Sequence, residues 1–190
     1  MKVFYLYLIS ILLLFGGCKQ RFSPKPKGYL RIDLEHKKDS LFQPKGCPFF
    51  FNSANYFQIS VKKNCWIDIE YPKHNATIHL TYKNIDKNII ELLEESRNIA
   101  YKHTIKADAI NEKSYFNNMH KTYGTLYDIK GPVASYIQFH LTDSIQHFLR
   151  GALYFNTKPN PDSLQPVIDY VKIDIIRLIE TLQWKEIASS

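Results

Sequence analysis

The sequence predicts an α+β domain: an antiparallel sheet layered with two main helices. Three observations carry this. The segment Ala76–Tyr82 places Ala76, Ile78, Leu80 and Tyr82 in alternation with Thr77, His79 and Thr81, the period of a half-buried strand. Two segments, one from Asn88 to about His103 and one from Leu164 to Leu182, carry apolar residues at helical spacing instead. The chain also holds 13 Tyr and 12 Phe against 7 Gly, a supply of aromatic side chains that favours pleated surfaces.

Taken in order, Tyr29–Leu34 is the first predicted strand, followed by a charged loop through Lys45. The Phe-rich segment Cys47–Val61 resists assignment, with a strand expected near Tyr56–Val61. Trp66–Tyr71 and Ala76–Tyr82 read as a pair joined around Pro72–Asn75. Asp86 or Asn88 then caps a helix with Ile89, Leu92, Leu93, Ile99 and Ala100 on one stripe. Strands return at Ala109–Phe116 and Lys121–Ile129, turning at Asn117–Asn118. Ala134–Leu141 and Gln146–Phe155 flank the short turn Thr142-Asp143-Ser144. Gly151 falls mid-strand, where a missing side chain permits close packing or a bulge. Pro159–Pro166 reads as a loop, with Asp162 or Ser163 capping the last helix, whose stripe is Leu164, Ile168, Val171, Ile175, Leu178 and Leu182. Such elements pack as layers around one core.

The N-terminus carries an address. Lys2 precedes the apolar run Val3–Phe15 and the small residues Gly16 and Gly17 ahead of Cys18, the layout of a bacterial signal peptide. The run is shorter than the roughly 20 apolar residues a spanning helix needs. Cleavage before Cys18 makes that residue the new N-terminus and a substrate for lipid attachment. Phe15 departs from the pattern, since lipoprotein signals prefer Leu there. The competing readings are an uncleaved anchor and an ordinary secreted protein. The expected division is a signal peptide over 1–17, a lipidated tether over 18–28 and a single α+β domain over 29–190. Pro24 and Pro26 stiffen the tether, and Lys19, Arg21, Lys25 and Lys27 lie on it, next to anionic headgroups if Cys18 is acylated.

The net charge of +7 raises the question of nucleic acid. Beyond the tether, however, Lys and Arg are mixed with acidic residues, and there is no basic recognition helix or RNA-binding aromatic motif, so no nucleic-acid partner is expected. Cys47 and Cys65 remain as an even pair in an oxidising compartment, either bridged or as two buried thiols. Neither belongs to a C-x-x-C motif, which argues against zinc and thioredoxin-type chemistry. No metal site and no cofactor are expected.

Catalytic equipment is not evident. The seven histidines form no H-E-x-x-H, and the chain has neither a G-x-S-x-G elbow nor a phosphate-cradling glycine loop. Ser144, His147 and Asp143 lie too close in sequence to build a triad with an oxyanion hole. His140 and His147 flank Asp143 across the hairpin, and a metal or acid–base cluster is conceivable there. Arg150 is a cation in an otherwise apolar strand, sharing a face with Phe148, Ala152 and Tyr154. Such an Arg usually pairs with a carboxylate, Asp143 or Asp169 here, or covers aromatic rings. Alternatively it meets a partner or an acidic ligand. Asp143, His147 and Arg150 are therefore the candidate partner-binding residues.

Several blocks together resemble the gliding-motility lipoprotein GldD family of Bacteroidota. They are Pro24-Lys25-Pro26-Lys27-Gly28-Tyr29-Leu30-Arg31-Ile32, the Cys47-Pro48-Phe49 and Cys65-Trp66-Ile67 pair, His103-Thr104-Ile105-Lys106-Ala107, Gly124-Thr125-Leu126-Tyr127, and the stretch from Asp143 through His147–Phe155 to the terminal helix. Phe50–Tyr56 departs from the family pattern. The order of strands and helices is also similar to the PsbP/Mog1-like sandwich, a likeness that says nothing of function. The resemblance implies an envelope lipoprotein serving gliding and the type IX secretion system, acting by protein–protein binding, without enzymatic activity, and lipidated (palmitate) at Cys18. The competing expectation is a lipid-anchored ligand-binding or hydrolytic domain with a site near His140, Asp143, His147 and Arg150. The absence of an acidic run after Cys18 favours an orientation facing the periplasm.

Overall fold

The computed structural model describes residues 39–54, 57–157 and 160–185. The signal segment, the tether with Cys18 and the strand expected at Tyr29–Leu34 lie outside the described residues.

Alternation of apolar and polar side chains builds one large sheet from seven antiparallel strands. In chain order these are β3 (Gln58–Val61), β4 (Ile67–Tyr71), β5 (Ala76–Asn84), β6 (Ala109–Asn117), β7 (Thr122–Lys130), β8 (Ser135–Thr142) and β9 (His147–Phe155). Their spatial order is β3-β4-β5-β9-β8-β7-β6. Two meanders, β3-β4-β5 and β6-β7-β8-β9, are thus joined through the β5–β9 ladder, which runs from Ala76 opposite Phe155 to Asn84 opposite His147. A second, three-stranded sheet has the order β1-β2-β10, with β1 at Asp39–Phe42, β2 at Phe49–Ala54 and β10 at Gln183–Trp184. Helix α1 (Ile89–Tyr101) crosses from β5 to β6, and α2 (Pro161–Thr181) follows β9.

The period of two sorts the large sheet into two faces. Ile67, Ile69, Ile78, Leu80, Leu126, Ile137, Phe139, Leu141, Leu149 and Leu153 point inward and are buried. Against them pack the apolar stripe of α2 and the rings of Phe49 and Phe51 from β2, all in one core. Helix α1 lies on the opposite face. Its buried residues are Leu92, Ser96 and Ala100, with Ile89, Leu93 and Ile99 half-buried around them.

The ends of elements differ from the sequence expectations for local reasons. A strand, β1, occupies part of the expected charged loop, because Asp39–Phe42 finds its ladder on β2, from Asp39 opposite Ala54 to Phe42 opposite Phe51. Cys47–Val61 resolves into two strands in different sheets, so no single period runs through it. The last helix begins at Pro161, inside the expected loop. Asn160 is its N-cap, accepting from the Ser163 amide, and Pro161 holds the first helical position, where its missing N–H costs nothing. Pro166 lies inside the helix, in its second turn, where it removes one backbone hydrogen bond. At α1, Asn88 is the N-cap residue, but its side chain accepts from the Asp86 amide instead.

Gly151 sits where β9 passes the buried ring of Phe139. A Cβ placed there would come within 2.2 Å of the Phe139 Cε1 and Cζ atoms. Gly151→Ala is expected to cost about 1–3 kcal/mol by overpacking, and adding Phe139→Leu should restore part of the loss. Urea titration of the single and double variants checks this; equal midpoints for Gly151→Ala and the parent would contradict it.

Candidate functional site

The residues singled out in the sequence fall into two places. The first is the β8–β9 hairpin. Asp143 follows β8, and its Oδ1 accepts from the amides of Ile145 (2.9 Å), Gln146 (2.8 Å) and His147 (2.8 Å). Thr142 Oγ1 donates to the His147 carbonyl and accepts from the Ser144 amide, and Ser144 takes a left-handed φ of 67°. Burial alone would raise the Asp143 carboxyl. The three amides and the nearby His147 outweigh it and hold the pKa below the usual carboxylate range. Asp143 is thus the brace of a tight turn.

His147 opens β9 on the core side. Its ring stacks on Trp184 at 5.0 Å between centroids, and Nδ1 lies 2.7 Å from the Tyr82 hydroxyl. The Tyr82 O–H donates to Asn84 Oδ1 at 2.6 Å, so His147 Nδ1 carries the proton in their bond. Burial lowers the His147 pKa, with Asp143 acting in the other direction, and burial followed by the Asp143 charge pushes Tyr82 up to about 12. An open cleft of about 440 Å³ lies beside this cluster, between the β6–β7 turn, the β8–β9 turn and β10.

The second place is the opposite face of the sheet, on β8 and β9. Arg150 stands opposite His140 in register. Its guanidinium donates to Gln138 Oε1 at 2.7 Å. The carboxylate partners expected for it are used elsewhere: Asp143 holds its turn, and Asp169 accepts from Gln165 Nε2 on α2. His140 is buried under α1, its Nδ1 3.3 Å from Ser96 Oγ and its ring stacked on Phe148. Burial, then the Arg150 charge, lowers His140 to about 4, with Glu112 acting in the other direction. His103, beyond the end of α1, is also lowered by burial and Arg150.

His140 and Arg150 therefore face one side of the sheet and His147 the other. The four residues do not converge on one point, as a metal or acid–base cluster would require. Among the described residues no group of three or more His, Cys, Asp or Glu is arranged to hold a metal ion. Cys47 and Cys65 are joined by a disulfide that ties the approach to β2 to the approach to β4, and so the small sheet to the large one.

Sequence reading missed the polar ladder beyond α1. On β4, β5 and β9 the outward residues Asp68, Glu70, Thr77, Thr81, Arg150 and Tyr154 are half-buried and His79 is exposed, whereas Gln138, His140 and Phe148 beneath α1 are buried. Asp68 pairs with Lys62 and with His79 Nδ1 at 2.7 Å, and the His79 ring lies 5.7 Å from Tyr154. The strand alternation contained this face. What it lacked was the knowledge that α1 lies over β8, with its Glu95 reaching Lys83 at the end of β5.

This architecture is that of a PsbP-like α+β sandwich. It is similar to the solution structure of cyanobacterial PsbP (CyanoP) from Synechocystis sp. PCC 6803, with a TM-score of 0.50 and 9% identity over 85% of this chain and 99% of that one. At that identity the likeness speaks for the fold alone. The model of the family described as gliding motility lipoprotein GldD matches residues 19–184, and the chain belongs to that family. No curated relative matches the sequence.

Proposed function

We propose that this gliding-motility lipoprotein is an accessory protein of the gliding and type IX secretion machinery, anchored by lipid at Cys18 with its domain facing the periplasm. It acts by binding another envelope protein. The observation that carries the reading is the half-exposed polar face of β4, β5 and β9, where Arg150, His79 and Tyr154 stand together without a covering element among the described residues. Arg and Tyr are residue types that dominate interface energetics. Arg150 contributes to that face directly, its fork held by Gln138. Asp143 and His147 contribute by fixing the hairpin from which β9 starts. No observation favours the hydrolytic alternative, whose residues are divided between two faces.

Two variants test this in a strain lacking the native gene. Cys18→Ala is expected to leave the membrane fraction and to fail to restore spreading. A photo-cross-linking residue at His79 is expected to give one discrete heavier adduct with an envelope protein, and the same residue at Ile173, on the outer side of α2, none. Normal spreading by Cys18→Ala, or equal adducts at both positions, would overturn the reading.

A further inference from the structure

Nine large apolar side chains are exposed among the described residues, and six of them (Val61, Trp66, Ile90, Phe116, Met119 and Ile145) gather at one end of the large sheet. That end is defined by register: Val61 closes β3, Trp66 precedes β4, Phe116 stands next to last in β6, and His147 opposite Asn84 marks the β9 start beside Ile145. Ile90 joins them from the first turn of α1. Their exposure ranges from 47% for Val61 to 85% for Met119, so they project rather than pack. The opposite end holds only Ile105 of the nine.

Lysines stand between these tips. Lys45, Lys62, Lys63, Lys87 and Lys121 are exposed there, and Lys185 is half-buried. The carboxylates on this side are Asp68, which is paired with Lys62, Glu95, which is paired with Lys83, Asp143, which braces its turn, and Asp86 and Glu91. The end is therefore both cationic and studded with apolar side chains.

The tips are rigidly presented. Trp66 follows Cys65, which the disulfide ties to Cys47. Met119 lies in the β6–β7 turn, where Asn117 Oδ1 accepts from the His120 amide at 3.1 Å. Ile145 is held by the Asp143 brace, its own amide among the donors. Holding apolar residues out in water on braced turns is a cost that another surface must offset.

We propose that this end of the sheet docks on an anionic lipid surface. A protein partner would be met by a contiguous apolar centre with a polar rim. Here single apolar tips alternate with lysines, an arrangement suited to a bilayer interface, which accepts separately inserted side chains without shape complementarity. Trp settles at headgroup level, and lysine stems lie along apolar surface while their charges reach the phosphates. The inference rests on the lipid-anchor reading above. The segment between Cys18 and Asp39 reaches at most about 70 Å when extended, enough to let this end meet the membrane.

The test uses the acylated chain reconstituted in vesicles whose lipids carry brominated acyl chains. With phosphatidylglycerol present, Trp66 fluorescence is expected to be quenched at least about threefold more than in phosphatidylcholine alone, and high salt should remove the difference. Trp66→Phe should abolish the quenchable component, leaving Trp184 unaffected. Met119→Asp combined with Ile145→Asp, both at exposed turns, should release Trp66 while leaving the thermal midpoint unchanged. Equal quenching in both lipids, or Trp66 shielded only when envelope protein is added, would overturn the proposal, the second result assigning this end to a protein partner. Flotation with the vesicles reads the anchor, and the His79 cross-link reads the partner. A chain that floats and cross-links but leaves Trp66 unquenched overturns this inference alone.

Discussion

Replacing Cys47 and Cys65 together by alanine is expected to lower stability by about 3 kcal/mol. The bridge closes a loop with a sequence separation of 18, and loss of loop-closure entropy from the unfolded chain at that length has this size. In a domain of this size the thermal midpoint should fall by roughly 6–12 °C. The native state also has something to lose. Cys47 leads into β2, whose first residue pairs with Trp184, and the Lys185 amide and Nζ bond the carbonyls of Pro48 and Cys47, each at 2.8 Å. The bridge thus fastens the small sheet to the large one at this corner, beside the short β2–β10 ladder. Hydrogen exchange should show Phe49, Phe51 and Lys185 losing protection before the β5–β9 ladder does. Denaturation with and without reductant checks the magnitude: the parent under reductant should fall to the level of the double variant. A midpoint indifferent to reductant would contradict the prediction.

How much of this was legible in the sequence depends on whether the deciding interaction is local. The alternation of Ala76, Ile78, Leu80 and Tyr82 fixed a face, and the structure buries all four. Gly151 left open close packing or a bulge, and the Phe139 ring against it shows the first. Where the partner is distant in sequence, the pattern is silent. β1 is a four-residue strand whose ladder among the described residues is with β2, and nothing in Asp39–Phe42 announces it. The carboxylates expected for Arg150 were sound by charge, but local geometry had already engaged them, one in a turn and one on a helix. Gln138 holds Arg150 instead, an amide twelve residues away across the hairpin.

The candidate site shows the same division more sharply. His140 and His147 sit seven positions apart across a turn, and the sequence invites them to meet. The parity of the two strands sends them to opposite faces, one beneath Ser96 and the other against Trp184. The exposed tips at the sheet end were illegible for a different reason. Val61, Trp66, Met119 and Ile145 look in sequence like ordinary strand-end and turn residues, and only strand order brings them to one end.

Acidification between about pH 6.5 and pH 4 is expected to destabilise the domain, with His140 as the principal cause. Its buried side chain meets Ser96 on α1, Phe148 and Arg150 on β9, and Tyr127 on β7, with Glu112 on β6 acting as the counter-charge among the described residues. Burial first, and Arg150 second, lower its pKa to about 4 from the ordinary 6.5. Between these values the unfolded chain binds a proton that the native state does not, so stability falls as pH falls. The full interval corresponds to about 3 kcal/mol. His147 and His103, also lowered by burial, act in the same direction. Asp143 behaves differently, because its carboxyl is held below the ordinary value and its contribution is lost only at still lower pH. The interval from pH 6.5 to 4 therefore isolates the histidines. His140→Asn keeps a polar atom toward Ser96 and cannot titrate, so its urea midpoint should decline clearly less than the parent's, the remainder coming from His147 and His103. Parallel declines in the two proteins would rule His140 out. Because Ser96 meets His140 at the α1–β8 contact, the amides of α1 should lose hydrogen-exchange protection before those of α2 as pH drops.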